Sequence, residues 1–282
     1  MEEKFLAAAE VMHYPAWRKL VRPGLARFAM RQWARSRNET TRVQARLFSG
    51  DDMTVMLPEV ISEVIYTYGF FDEVVTWMLL QGARSGGTAL DVGAHFGYFS
   101  LLLSRLLGPG GRVYSFEPTP STYEVLAANA ARTANVTPIN SAAGDKAELL
   151  EITDYGLQYC AWNTLAPASR MPELLDHVPA RRVRVNTVRL DDFVSERGIA
   201  PSFIKIDAEN FEHQVIKGLL KTIASAHPTI LMETGSAASQ AAGELLVQHG
   251  YEIWVSDSPR SLYRWEHGLV KANARFKDLL FR

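Results

Sequence analysis

The stretch Ala89–Leu107, ALDVGAHFGYFSLLLSRLL, decides how the whole chain reads. Thr88, Ala89 and Leu90 form a short apolar run ending at Asp91. Gly93, Ala94 and Gly97 then make a small-residue turn, and Tyr98 to Leu107 carries helix formers with almost no breaker. A buried strand, a tight glycine turn and a helix open a nucleotide-binding α/β fold. Gly93 allows backbone to approach a ligand where a side chain would clash, and Gly97 allows close packing of helix on strand.

Asp91 bears on which nucleotide is bound. A carboxylate at the strand end would repel a phosphate placed over the turn. S-adenosylmethionine carries an ammonium and a sulfonium and no phosphate, so it suits this turn better than NAD. Gly93 and Gly97 also supply GxxxG and not the GxGxxG of pyrophosphate binders. A second acid, Glu117, ends the alternating run Arg112–Phe116 and is followed by Pro118. It stands roughly 20 residues past the turn, where such folds place a carboxylate on the ribose hydroxyls.

Working outward, 282 residues with 47% hydrophobic and 22% charged content are enough for one large α/β domain with an appendage. A net charge of −1 gives no general affinity for nucleic acid or anionic membrane. Cys160 is the single cysteine, so no intrachain disulfide and no cysteine zinc site is expected. The acidic start MEEKF and the lack of a span-length apolar run predict a soluble, unprocessed, cytoplasmic protein.

Residues 1–46 read as a basic helical appendage. Arg18, Lys19, Arg22, Arg27, Arg31, Arg35, Arg37, Arg42 and Arg46 alternate with Leu20, Leu25, Phe28, Met30 and Trp33. The apolar stripe is expected to pack on the core or on a second copy of the chain; a docking face for an anionic substrate is the sharper reading. Arg46–Pro58 reads as a hairpin turning at Ser49–Asp52, and 59–81 as helix broken near Gly69. A helix starting at Ser121 or Thr122 precedes the strand Val136–Asn140. Ala142 and its small neighbours then suit a flat adenine ring. Asp145 is an acceptor for the adenine amino group, or equally a turn residue beside Gly144. Segment 146–190 breaks the alternation and reads as an insertion or lid contributing to an acceptor pocket. Strands ending at Asp207 and Glu233 complete a row of acids along one sheet edge. Tyr251–Val255 and Leu262–Trp265 read as the final strand pair.

The blocks DVGAHFGYFS (Asp91–Ser100), FEPTP (Phe116–Pro120), LDDF (Leu190–Phe193), IKIDAENFE (Ile204–Glu212) and ILME (Ile230–Glu233) resemble the FkbM family of S-adenosylmethionine-dependent methyltransferases. That resemblance implies a Rossmann-like class I methyltransferase fold over residues 47–282. Its sheet would be seven-stranded and mostly parallel, with one reversed strand and helices on both faces. It implies O-methylation of a hydroxyl on a natural product, sugar or glycan. Two positions depart from the family pattern: His95 replaces the Asn of DVGAN, and Asn210 replaces the Gly of the D-x-E-G-x-E block. Asn tolerates left-handed backbone, so that turn is expected to survive.

The cofactor set is expected to be Asp91, Gly93, Ala94, His95, Tyr98, Phe99, Glu117, Pro118, Ala142, Asp145 and Asp207, with Tyr98, Phe99, Phe116 and Trp162 as apolar walls. A sugar hydroxyl is a poor nucleophile and needs a base or a metal. Asp207 is the first candidate base, supported by Glu209 or by His213, four residues further and on the same face if 209–213 is helical. Asp207, Glu209 and Glu233 are alternatively a magnesium set, although the metal-free reading is preferred. Methyl transfer to nitrogen or a carboxylate, or cofactor binding without catalysis, are the competing functions.

Overall fold

The computed structural model describes residues 1–13, 25–37, 39–165, 175 and 177–282. The expected basic residues Arg18, Lys19 and Arg22, with Leu20, lie outside them, as does 166–174 of the insertion. The hairpin is present and begins earlier than expected: β1 (Thr41–Arg46) pairs antiparallel with β2 (Asp52–Leu57). Residues 41–46 are therefore strand and not the end of the helical appendage. Their pattern has period two: Val43 and Ala45 face inward, while Arg42, Gln44 and Arg46 face out.

The strands β3 (Thr88–Val92), β4 (Arg112–Phe116) and β5 (Val136–Ile139) lead into a second, smaller sheet of β6 (Ala142–Gly144), β7 (Leu149–Asp154) and β8 (Arg181–Arg189). The chain then returns through β9 (Pro201–Ile206), β10 (Thr229–Glu233), β11 (Ile253–Val255), β12 (Tyr263–Arg264) and β13 (Asp278–Phe281). The main sheet runs β12-β11-β13-β10-β9-β3-β4-β5. It has the seven expected strands plus the two-residue edge β12. The reversed strand is β13, antiparallel to both β10 and β11. The sequence reading took β11 and β12 as the last pair and passed over this four-residue strand at the chain end.

Both faces are covered. Helices Glu73–Gly82, Tyr98–Leu107 and Pro120–Ala130 supply one core with Met78, Leu102 and Val125. Helices Leu190–Arg197, Glu212–Lys217 and Ala237–Gln248 supply the other with Phe193, Val215 and Leu246. The helix Pro120–Ala130 is N-capped at Thr119 with Pro120 in its first turn, not at Ser121 or Thr122, because proline suits a position whose N–H has no partner in the helix.

Glu2–Met12 is helical and seats Phe5, fully buried, against Phe48 and the edge of Phe70 at 5.3 and 5.4 Å between ring centroids. Helix Leu25–Ser36 docks by its arginines rather than by its apolar stripe. Arg31 and Arg35 hold the buried Glu63 carboxylate, and Arg27 donates to the Thr67 carbonyl at 2.9 Å. Leu25, Phe28 and Trp33 are left facing outward. A buried carboxylate needs paired cations, and that requirement turns the basic face inward. Asn129 clamps the hairpin to the glycine turn: its Oδ1 accepts from Thr54 N at 2.7 Å, and its Nδ2 donates to Thr54 O and Phe96 O, each at 2.9 Å.

Candidate active site

The glycine turn lies at the carboxyl end of β3, as its residue types require. Gly97 has φ +93° and starts the helix at Tyr98. Gly93 has φ +73°, and a Cβ there would be driven into the backbone carbonyl of Asp207. The first and fourth parallel strands can close on each other only because position 93 has no side chain. The amides of Gly93 and Ala94 both donate to Phe116 O at 3.0 Å, which fixes the end of β4 and so the position of Glu117.

A cleft of about 700 Å³ opens over these strand ends. Of the expected cofactor residues, Gly93, His95, Glu117, Pro118, Ala142 and Asp207 line it, together with Glu209 from the catalytic set. Glu117 is almost fully buried. Its Oε1 accepts from Thr119 N at 2.9 Å and its Oε2 from His95 N at 3.1 Å, which leaves lone pairs on both oxygens. Burial pushes its carboxyl up to about 7 despite those two bonds. His95 has φ +50°, its ring stands against Phe96, and Nε2 lies 3.0 Å from the Cys160 sulfur. Burial pulls it down to about 3, so it is a neutral part of the wall.

Other expected contacts fall elsewhere. Asp91 lies beneath the cleft, fully buried, accepting from Ser100 Oγ at 2.6 Å and 3.9 Å from Lys205 Nζ. The acids that actually face the cleft are Glu117, Asp207 and Glu209. Ala94 is buried behind the turn. Tyr98 is in the core with its hydroxyl 3.1 Å from Thr76 Oγ1, so its ring is no cofactor wall. Phe99 lines an adjoining cavity. Asp145 does not line the cleft and pairs with Lys217 at 2.7 Å, which holds its carboxyl below the usual range. Phe116 does line the cleft, whereas Trp162 does not.

Within 146–190, β7 pairs antiparallel with β8, and the described residues that follow β7 reach the cleft through Cys160, Ala161, Asn163 and Leu165. Thr164 Oγ1 donates to Glu209 O at 2.7 Å and ties these residues to the acidic turn. Helix 60–68 adds Ile61 to the wall.

The acids meet at the ends of β9 and β10. Single carboxylate oxygens of Asp207, Glu209 and Glu233 lie within 4.8 Å of one another, so the donor set has the all-oxygen character that magnesium accepts. His213 is not part of this group. Glu209 and Asn210 take φ +47° and +73°, the helix begins only at Glu212, and the expected shared face of residues 209 and 213 does not form. Asn210 thus does adopt the left-handed turn in place of glycine. Glu212 holds that turn, its Oε1 accepting from Ala208 N at 3.2 Å and Asn210 N at 3.1 Å.

Sequence reasoning missed Lys205. It is buried in β9 between Ile204 and Ile206, 3.1 Å from Asp207 Oδ2, 3.3 Å from Gly93 O and 5.0 Å from the Phe99 ring centroid. Burial pulls its ammonium down, yet Asp207 and Asp91 outweigh that and hold it above the ordinary value. Burial likewise raises Asp207, but the Lys205 charge and hydrogen bond prevail and hold it low. Burial together with Asp207 pushes Glu209 up to about 8 and Glu233 up to about 9. At neutral pH the group therefore has an ionised Asp207 flanked by two carboxyls that retain protons. A lysine in the middle of the apolar run FIKID was the available signal.

The cleft fits S-adenosylmethionine on its own evidence: a buried carboxylate with spare lone pairs for ribose hydroxyls, a glycine turn, and the apolar Phe116, Ala142 and Ala143 for a flat ring. The family described as the methyltransferase FkbM domain matches residues 91–256. The 31-O-demethyl-FK506 methyltransferase FkbM of Streptomyces tacrolimicus is 30% identical over 206 residues, covering 62% of this chain and 76% of that protein. A crystal structure of methyltransferase FkbM from Methylobacillus flagellatus is 19% identical with a TM-score of 0.44; the match covers 70% of this chain and 44% of that one. Aeropyrum pernix fibrillarin with natively bound S-adenosyl-L-methionine is 13% identical with a TM-score of 0.43, covering 86% and 97%. Among the described residues no helix is long and apolar enough to cross a membrane.

Proposed function

Because this chain belongs to the FkbM family of S-adenosylmethionine-dependent methyltransferases, we propose that it methylates a hydroxyl oxygen of a small-molecule natural product, sugar or glycan. The observation that carries this reading is the position of Asp207. It lines both the cofactor cleft and the smaller adjoining cavity, so it stands where a donor and an acceptor would meet. The relative from Streptomyces tacrolimicus, named for an O-linked methyl, supports oxygen as the acceptor atom.

Bound S-adenosylmethionine supplies a methyl group on a sulfonium, open to in-line attack. Glu117 would hold the ribose hydroxyls, and the bare Gly93 lets the end of β9 close against the cofactor turn. Lys205 keeps Asp207 ionised and fixed through its contacts to Asp207 and Gly93 O. The Asp207 carboxylate takes the acceptor's hydroxyl proton, with Glu209 and Glu233 beside it as proton-bearing neighbours. Residues Cys160 to Leu165 narrow the cleft and exclude water.

The test is product analysis by mass spectrometry and NMR over a panel of sugars, polyketide alcohols, amines and carboxylic acids. O-methyl products are expected. Asp207→Asn should lower turnover by about 10²–10⁴-fold, the usual contribution of a positioned base. Its affinity for S-adenosylhomocysteine should hold. A rate that vanishes with chelator and returns with magnesium would make the three acids ligands. Products carrying N-methyl or methyl ester groups, or near-normal turnover by Asp207→Asn, would overturn the proposal, as would cofactor binding with no turnover on any acceptor.

A further inference from the structure

The adjoining cavity is lined by four carboxylates, Asp72, Asp207, Glu233 and Asp278, and by two ammonium groups, Lys205 and Lys277, with Phe71 and Phe99 as apolar walls. The two lysines are already engaged. Lys205 lies 3.1 Å from Asp207, and Lys277, an exposed rim residue, lies 3.8 Å from Glu233. Asp72 uses Oδ1 to cap helix Glu73–Gly82, accepting from Val74 N at 3.1 Å and Val75 N at 3.0 Å. Asp278 is different. It is only 8% exposed, it lines the cavity, and among the described residues its side chain makes no hydrogen bond and no ion pair. Its carboxylate opens onto the cavity and has no cation of its own there, so it can receive a cationic group small enough for the opening.

We propose that this cavity is a subsite for a protonated amine on the methyl acceptor, held between Asp72 and Asp278. The inference rests on the methyl-acceptor reading above and names a substrate class for it: a hydroxyl compound that also bears an ammonium group, such as an amino sugar. Burial and the neighbouring Asp72 push the Asp278 carboxyl up to about 8, and an ammonium placed between the two acids restores the charged form. The Phe71 and Phe99 rings meet edge to face, 6.5 Å apart at their centroids, and form an apolar wall of the same cavity. Placing the amine here leaves Asp207, on the shared wall, to receive the hydroxyl.

The test uses the full chain saturated with S-adenosylhomocysteine at pH 7, titrated with glucosamine and, as the uncharged match, glucose, read by ligand-observed NMR. Glucosamine should bind at least about tenfold more tightly than glucose, as expected for charge-assisted hydrogen bonds in a sheltered site. Asp278→Asn should remove most of that preference. Asp72→Asn should also reduce it while keeping the helix cap, since asparagine caps well; it serves where Asp278→Asn does not fold. Equal binding of the two sugars, no binding of either, or a preference that survives in both variants would overturn the subsite. Affinity for S-adenosylhomocysteine is measured in the same samples. Its loss would count against the methyltransferase site itself, while its retention without amine preference counts against this inference alone.

Discussion

Glu117→Gln removes one negative charge from the cofactor cleft with almost no change in shape. In the free protein the carboxyl is raised from its ordinary 4.5 to about 7, chiefly by burial. Raising the carboxyl that far corresponds to about 3.5 kcal/mol of strain in the ionised form. The sign follows from proton linkage: the folded state holds this proton where the unfolded state has lost it. Stability of the free protein should therefore fall as pH rises from about 4.5 through about 7, and Glu117→Gln should flatten that slope. Ribose hydroxyls donate to the carboxylate and favour its ionised form, so cofactor binding expels the proton. Affinity for S-adenosylhomocysteine should rise with pH to a plateau above about 7 and fall by up to about tenfold per unit below it. His95, at about 3, stays neutral throughout and does not contribute. At pH 8 the variant should bind about 5- to 150-fold more weakly, the equivalent of about 1–3 kcal/mol for hydrogen bonds to a charged acceptor. Calorimetry from pH 5.5 to 8.5 on both proteins measures all of this. A native affinity indifferent to pH, together with an unchanged affinity in the variant, would refute the assignment of Glu117 to the ribose.

Gly93→Ala should abolish cofactor binding, because the new Cβ meets the Asp207 carbonyl; a variant that binds S-adenosylhomocysteine normally would show that the turn yields. Lys205→Met should raise the pH at which Asp207 ionises and shift the turnover profile to higher pH, since the lysine charge is what holds that carboxyl low; an unmoved profile would remove Lys205 from its positioning role. Phe5→Ala should cost about 3–5 kcal/mol in denaturant unfolding, as for other buried phenylalanines, and would thereby show that the first helix belongs to the core. A cost near zero would make residues 1–13 a detachable appendage.

The parts of the fold that were legible in the sequence are those whose determinants lie next to one another. The β3 strand, the Gly93–Gly97 turn and the helix after it are written in 20 adjacent residues, and the acid-ended strands of β4, β9 and β10 are equally local. What escaped depends on distant partners. Asp145 looks like a ligand group until Lys217, 72 residues on, captures it. Tyr98 looks like a cavity wall until Thr76 takes its hydroxyl. Lys205 stands out in the apolar run FIKID, but its role comes from the two carboxylates that surround it in space, and β13 is too short to show any period. His213 was misplaced for a local reason: two successive left-handed residues delay the helix past Glu209.

The Asn129 clamp has a consequence for where this protein can be cut. The family match begins at Asp91, and a fragment designed from that similarity would start there or slightly before. Yet Asn129, inside the match, directs two of its hydrogen bonds to the Thr54 backbone and a third to Phe96 at the tip of the glycine turn. Without β2 those groups lose their partners in a buried setting, at about 1–3 kcal/mol for each group left unmet, beside the loop that must hold its shape for the cofactor. Kinship and bracing draw different borders on this chain: the inherited signature starts at the first cofactor strand, whereas the hydrogen bonds that brace the cofactor turn reach back to the hairpin.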